Sequence, residues 1–225
     1  MQQPWWKVWL SYLMELHVES AASSYNPHLY VSLKNGRYQL STAHAVYSYE
    51  DLYSNFRRAF KATDLDKLPG GEVLVMGLGL GSIPLMLEQT FHKDYRYTAV
   101  EVDEAVLHLA QKYVLDDLES SLEVIQADAY VFVEQCSTTF DLICMDIFLD
   151  DTVPTKFEEP AFLENLRDLL NPDGLLLYNR LAASKKDKRR SRLFYERQFL
   201  PVFPEATFLD VGGNYILFSR KTMLE

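Results

Sequence analysis

Cysteine is scarce: only Cys136 and Cys144 occur among 225 residues. Two thiols make no disulfide framework and show no metal-ligand spacing, which fits a reducing, cytoplasmic compartment; both read as core residues. The five histidines, His17, His28, His44, His92 and His108, also lack ligand spacing, so no metal is expected. No apolar run approaches a membrane span, and Met1 to Leu13 is aromatic without a basic leader or small-residue cleavage site, so no membrane partner is expected. Positive charge is short too: 22 Lys and Arg stand against 32 Asp and Glu, a formal net charge of -10. A phosphate backbone is held by a basic face, so no nucleic-acid partner is expected. Internal repeats and low-complexity tracts are absent.

The chain is 48% hydrophobic, enough for a proper core in one domain with a small appendage. It is organised around Val73-Leu74-Val75-Met76-Gly77-Leu78-Gly79-Leu80-Gly81-Ser82, a buried-strand pattern that breaks into alternating glycines and leads into a helix over Ile83–Gln89. Glycine lets the chain reverse tightly and brings bare backbone against a ligand, and the free amides of the helix start face whatever is bound. Pro84 suits a first helical turn. Alone, the pattern fits a plain strand-to-helix connection equally well. A second strand over Tyr97–Asp103 strengthens it by ending in acid roughly 20 residues on, where nucleoside-binding folds place the ribose carboxylate. Glu101 is the expected ribose ligand, against the alternative of a solvated acid at a strand end.

Trp5 to Ser41 reads as β-like, with Asn35-Gly36 as a hairpin turn, giving a small antiparallel unit over 1–47. Ser48 and Asp51 have capping-box spacing ahead of a helix bearing Tyr49, Leu52, Tyr53, Phe56 and Phe60, aromatics that read as core. Over 48–225, strands and helices alternate. A helical face at Val106, Leu109, Ala110 and Tyr113 precedes strands at Leu122–Ile125 and Phe140–Met145. A helix over Ala161–Leu170 ends at Asn171-Pro172-Asp173-Gly174, and Leu175–Tyr178 is the next strand. A Lys- and Arg-rich helix over Ser184–Val202 and closing strands at Ala206–Val211 and Tyr215–Ser219 complete the pattern. The basic cluster from Lys185 to Arg192 reads as a solvated helix face in preference to an anion site. The expected fold is α/β: a Rossmann-like, doubly wound, mostly parallel seven-stranded sheet with a small N-terminal antiparallel β unit. Such sheets bind ligands beyond the carboxyl ends of their strands. Asp146 falls there and could serve as general base or cap a loop. Asp128 could accept from an adenine amino group or cap the helix over Tyr130–Gln135. Asp150 and Asp151 lie in the loop after Asp146.

These residues resemble the spermidine synthase (aminopropyltransferase) family, which shares the class I S-adenosylmethionine-dependent methyltransferase fold, over about residues 29–180. The family's lead-in is similar to Asn35-Gly36-Arg37-Tyr38-Gln39 and Tyr49-Glu50-Asp51, and its glycine motif to Gly77–Ser82. The resemblance implies Gln39 and the Gly77, Gly79 and Gly81 turn at the nucleoside, Glu101 at the ribose, Asp128 at the adenine and Asp146 as the catalytic Asp. Tyr49 and Asp150 are the implied substrate contacts. The chain departs from the family at Leu80, where an Asp helps hold the donor's amine, and at Leu149, where a second loop Asp stands, Asp150 coming one position late. It also lacks the acidic pair near His44-Ala45. The departures touch amine recognition and leave the nucleoside contacts.

The favoured function is therefore an S-adenosylmethionine-dependent transferase, with methyl transfer to a small-molecule acceptor ahead of aminopropyl transfer from decarboxylated S-adenosylmethionine. A catalytically silent nucleoside-binding module stays open, and so does a homodimer. A nicotinamide dehydrogenase is disfavoured because its third glycine would fall on Ser82.

Overall fold

A computed structural model describes residues 3–223; residues 1–2 and 224–225, the outer ends of the two expected units, lie outside the described residues. The chain opens with helix α1 (Trp5–Leu10) and strands β1 (Leu16–Ala21), β2 (Leu29–Lys34), β3 (Arg37–Ser41) and β4 (Val46–Ser48). The strands form an antiparallel sheet in the order β1-β2-β3-β4. Asn35 and Gly36, at φ 49° and 73°, make the tight β2–β3 turn that their identities predict. Over Trp5–Leu10 the expectation of β structure is wrong. Aromatics favour strands locally, but Ser11 ties this segment to the hairpin turn. Its Oγ donates to the Val8 carbonyl (2.6 Å) and accepts from the Gly36 amide (2.9 Å), while its carbonyl accepts from Asn35 (2.9 Å).

The larger layer follows as α2 (Ser54–Lys61), β5 (Glu72–Met76), α3 (Ser82–Gln89), β6 (Arg96–Glu101), α4 (Glu104–Tyr113), β7 (Leu122–Gln126), α5 (Ala129–Gln135), β8 (Phe140–Met145), α6 (Pro160–Asp168), β9 (Leu170–Leu181), α7 (Lys185–Phe194), β10 (Thr207–Asp210) and β11 (Asn214–Phe218). Seven strands pair in the order β10-β11-β9-β8-β5-β6-β7. Strands β5 to β9 are parallel, and β11 runs antiparallel to both its neighbours. This is the expected doubly wound sheet. Chain order reverses at β5, between β6 and β8, which opens a crevice at their carboxyl ends.

Burial on both faces explains the near-continuous apolar strands. Val73, Val75, Leu142 and Cys144 point to the side of α3, α4 and the small sheet, where Leu29, Val31 and Leu40 join the same core. Leu74, Met76, Ile143 and Met145 point to the opposite side, against Val133, Phe162, Leu166 and Phe194. Cys144 is core as expected, but Cys136 is only partly buried, at the end of α5. Among the described residues, no helix is long and apolar enough to cross a membrane.

Two local expectations fail for tertiary reasons. Ser48 caps no helix. Its hydroxyl shares a 2.7 Å hydrogen bond with that of Ser82, Asp51 pairs with Arg37 (2.5 Å), and a 3-10 turn over Glu50–Leu52 precedes α2. Helix α6 stops at Asp168, not Leu170, because Leu170 already pairs with Phe140, and Asn171 donates to Asp141 (2.8 Å). The basic helix is present as α7, capped by Ser184 and Asp187 as a capping box, and runs on into a π-helical turn over Tyr195–Phe199.

Candidate functional site

The glycine turn leaves β5 at the crevice. Gly77 (φ +84°) passes beneath the chain that leaves β8: a Cβ there would lie 2.5 Å from the Asp146 carbonyl oxygen. At Gly79 (φ +55°) a Cβ would lie 2.9 Å from that of Ser48. Glycine at these two positions is thus required by the protein's own chain at close approach. Gly81 begins α3 and stands outside the cleft lining.

The cleft above this turn holds about 540 Å³, in the range of small-molecule sites. Gln39, Tyr49, Gly77, Gly79, Glu101, Asp128, Asp146 and Asp150 all line it, so the crevice gathers residues from both sheets. Glu101 and Asp146 reach it from the carboxyl ends of the parallel strands β6 and β8 and Asp128 from the start of α5, whereas Gln39 comes from within β3 of the small sheet and Asp150 from the loop after β8.

Glu101 ends β6. One carboxylate oxygen accepts from the Val102 and Asp103 amides (2.9 and 3.1 Å), and the other from the Leu78 amide (3.1 Å). Burial raises its pKa, against the pull of those amides. The carboxylate therefore locks the glycine turn to β6 and keeps one lone pair, on the oxygen that accepts from Leu78, for the cleft.

Asp146 follows β8 directly and is half-buried at the cleft. Asn179 of β9 donates to Oδ1 (2.7 Å), and the Tyr53 hydroxyl donates to the same oxygen (3.3 Å). Asn214 in turn donates to the Asn179 carbonyl oxygen (2.8 Å), which fixes the orientation of that amide. Both contacts fall on Oδ1, leaving Oδ2 for a ligand. Burial pushes this carboxyl up to about 7, over the opposing effect of the two donors. A carboxyl poised there can both hold and release a proton at neutral pH.

Asp128 caps α5, accepting from the Tyr130 amide (2.9 Å), and also pairs with Lys156 from the loop after β8. Tyr49 lines the cleft, but its hydroxyl accepts from Asn35 (2.9 Å) and donates to the Lys34 carbonyl (3.3 Å) at the hairpin turn. Asp150 holds the roof. It accepts from Thr42 and pairs with His44 (2.6 Å each), and the Thr42 bond, with His44, holds its carboxyl below the usual range.

Sequence reasoning passed over Tyr47, Tyr53, Asn55, Asp103, Lys156, Asn179 and Asn214. Tyr47 accepts from the Asp150 amide (2.6 Å), and Asp103 accepts from Ser23 (2.5 Å) while capping α4 through the Ala105 amide (3.0 Å). Only Asp103 carried a local signal, an acid one residue before a helix. Among the described residues, no cluster of His, Cys, Asp and Glu could hold a metal.

The spermine/spermidine synthase domain matches residues 65–208. A polyamine aminopropyltransferase of Vibrio vulnificus is 26% identical over 155 residues, 68% of this chain and 51% of that protein. An eEF1A lysine and N-terminal methyltransferase of Xenopus laevis is 30% identical over 158 residues, 66% of this chain and 22% of that protein. This chain thus spans about half of the first relative and about a fifth of the second. Spermidine synthase from Thermotoga maritima superposes with a TM-score of 0.69 at 19% identity, covering 92% of this chain and 74% of that one. Human methyltransferase-like protein 13, solved in complex with SAH, gives 0.61 at 24% identity, covering 76% of this chain and 85% of that one. At these identities the two structures speak for the fold. Matched across well over half its length, and with the glycine turn, Glu101 and Asp146 on one crevice of a doubly wound sheet, the chain belongs to the spermine/spermidine synthase domain family.

Proposed function

We propose that the protein is an S-adenosylmethionine-dependent transferase, and that it moves a methyl group to an amine. The observation that carries this reading is the convergence of the Gly77 turn, Glu101 and Asp146 at the crevice beside β5. The residues present fit such a donor. Glu101 offers a rigid carboxylate to the ribose, Gly77 and Gly79 admit close approach, and Ala127, Asp128, Ala129 and Phe157 offer a base a mixed apolar and polar wall. Gln39, buried on β3, would add a polar contact to the nucleoside.

When bound, the donor supplies an electrophilic carbon on sulfur, so the protein's task is largely alignment and exclusion of water. Asp146 would take a proton at Oδ2 from the acceptor amine, or orient it. The hydrogen bonds of Asp150 with Thr42, His44 and Tyr47 tie the small sheet to the loop after β8 at the mouth of the cleft. Methyl transfer is favoured over aminopropyl transfer because Leu80 is buried in the core and gives the cleft no polar atom, while Leu149 lines the acceptor side. A diamine would find fewer carboxylates there than the family offers. Aminopropyl transfer is the second reading, supported by the Vibrio relative.

Calorimetry on the folded chain separates these. Heat with S-adenosylmethionine and S-adenosylhomocysteine is expected. Preference for the decarboxylated donor would promote aminopropyl transfer, and no heat from any of the three at high micromolar concentration would sink the transferase reading. The relay onto Asp146 gives a second expectation. Asn179→Leu removes the donor that favours the charged form, so the acid limb of the rate profile should move alkaline by on the order of one pH unit. An unmoved limb would remove Asn179 from the site. A cytoplasmic setting, consistent with the unpaired Cys136 and Cys144, and a homodimer using exposed Trp5, Trp6 and Trp9 belong to the same proposal.

A further inference from the structure

Beside the cleft lies a second concavity of about 410 Å³ along α7. Lys186, Arg189, Arg190, Leu193 and Arg197 line it, at the three- and four-residue spacings that put them on one helical stripe. The helix concentrates cations at a cost, because like charges three and four residues apart repel. Its one acid, Asp187, is bound into the cap by the Ser184 amide (2.8 Å) and hydroxyl (2.6 Å).

Nor is the stripe neutralised from across the groove. Glu158 is the one carboxylate there, and it already pairs with Arg180 (2.7 Å) and Arg190 (3.1 Å). The Arg180 side chain is 3% exposed and stacks on Phe194 at 4.2 Å, so Glu158 is engaged by a buried cation behind the groove lining. Lys186, Arg189 and Arg197 have no carboxylate within ion-pair distance among the described residues, and all three are exposed. On a chain of net charge -10, this is a local inversion of sign. The π-helical turn that carries Arg197 adds a second irregularity at the same place, and such turns concentrate at functional positions.

Two features choose the occupant. Leu193, 36% exposed, sits in the middle of the cationic stripe, and Phe194 beneath it is buried, so the groove offers an apolar seat but no exposed aromatic platform for bases. The groove also borders the cleft. In the 3-10 turn Thr155–Glu158, Lys156 and Phe157 face the cleft and Glu158 the groove, while Leu181 lines the cleft three residues before the cap of α7. We infer that the α7 groove docks an acidic segment with an apolar residue at its centre, belonging to a protein partner whose amine is presented to the neighbouring cleft. The docking stands on the groove alone; its use for an acceptor rests on the transferase reading above.

The test is fluorescence anisotropy on the full chain with a labelled peptide of Glu-Glu-Leu-Glu repeats, beside polyglutamate and a single-stranded oligothymidine. The Glu–Leu peptide should bind at low salt and weaken as salt rises. Lys186→Glu with Arg189→Glu, both exposed and outside the cleft, should weaken it at least about tenfold. Leu193→Asp should weaken the Glu–Leu peptide more than polyglutamate. Unchanged binding in the double variant, no binding at low salt, or tighter binding of oligothymidine would overturn the inference. Donor calorimetry on the double variant keeps the two readings apart: peptide binding lost with donor heat intact is the expected pattern, whereas peptide binding without donor heat in the wild type sinks only the transferase reading.

Discussion

Asp146→Asn is expected to lose at least about 100-fold in turnover and, at pH 8, to melt at a higher temperature than the wild type. The two effects share one cause. The Asp146 carboxyl stands at about 7 because it is buried, far above its value of about 4 in an unfolded chain. Between those values the unfolded chain binds fewer protons than the native one, so native stability falls as pH rises from about 4 to about 7 and is level beyond. Asparagine carries no such dependence, and its Oδ1 still accepts from Asn179 and Tyr53. The variant's advantage should therefore be nil near pH 4 and complete above pH 7, on the order of 2–4 kcal/mol. Thermal melts across pH check the stability arm, and initial rates with an amine acceptor check the other. A variant that keeps its turnover would remove Asp146 from the chemistry, and one less stable at pH 8 would show that its carboxylate is better solvated than its surroundings indicate.

Glu101→Gln is expected to abolish measurable donor binding and to destabilise the fold as well. The wild-type carboxylate accepts three backbone amides, and these occupy both oxygens. If glutamine keeps its oxygen on Val102 and Asp103, its amide nitrogen meets the Leu78 N–H, donor against donor. A buried donor left without its acceptor costs about 1–3 kcal/mol. The glycine turn is then no longer locked to β6, and a ribose loses its acceptor at the same stroke, so donor affinity should fall by more than about 100-fold. Calorimetry with S-adenosylhomocysteine and denaturant unfolding check the two arms. Normal affinity in a destabilised variant would confine Glu101 to bracing the turn.

The β5 glycine turn illustrates why part of the site was legible in the sequence. A strand pattern, two or three glycines and a helix start lie within one local stretch, and the acid ending the next strand follows at a regular spacing, so Gly77, Gly79, Glu101 and Asp146 could be placed on one sheet edge. The reason for the glycines was less accessible. Gly77 is confined by the Asp146 carbonyl and Gly79 by Ser48, contacts from elements distant in the chain. The same distance hid Tyr53 and Asn179, which are 93 and 33 residues from the carboxylate they hold.

The alternation of apolar strands with helices was enough by itself to determine the doubly wound sheet and the edge on which its acids emerge, since periodicity and turn chemistry act over a few residues. Tertiary structure alone decided that Trp5–Leu10 is helical, that Ser48 braces the glycine turn instead of capping a helix, and that Asn214 and Asn179 orient Asp146. It likewise set a cationic groove next to the cleft. The physical reason is common to all four: each depends on groups distant in the chain that folding brings together, and local sequence carries no record of which distant partner will arrive.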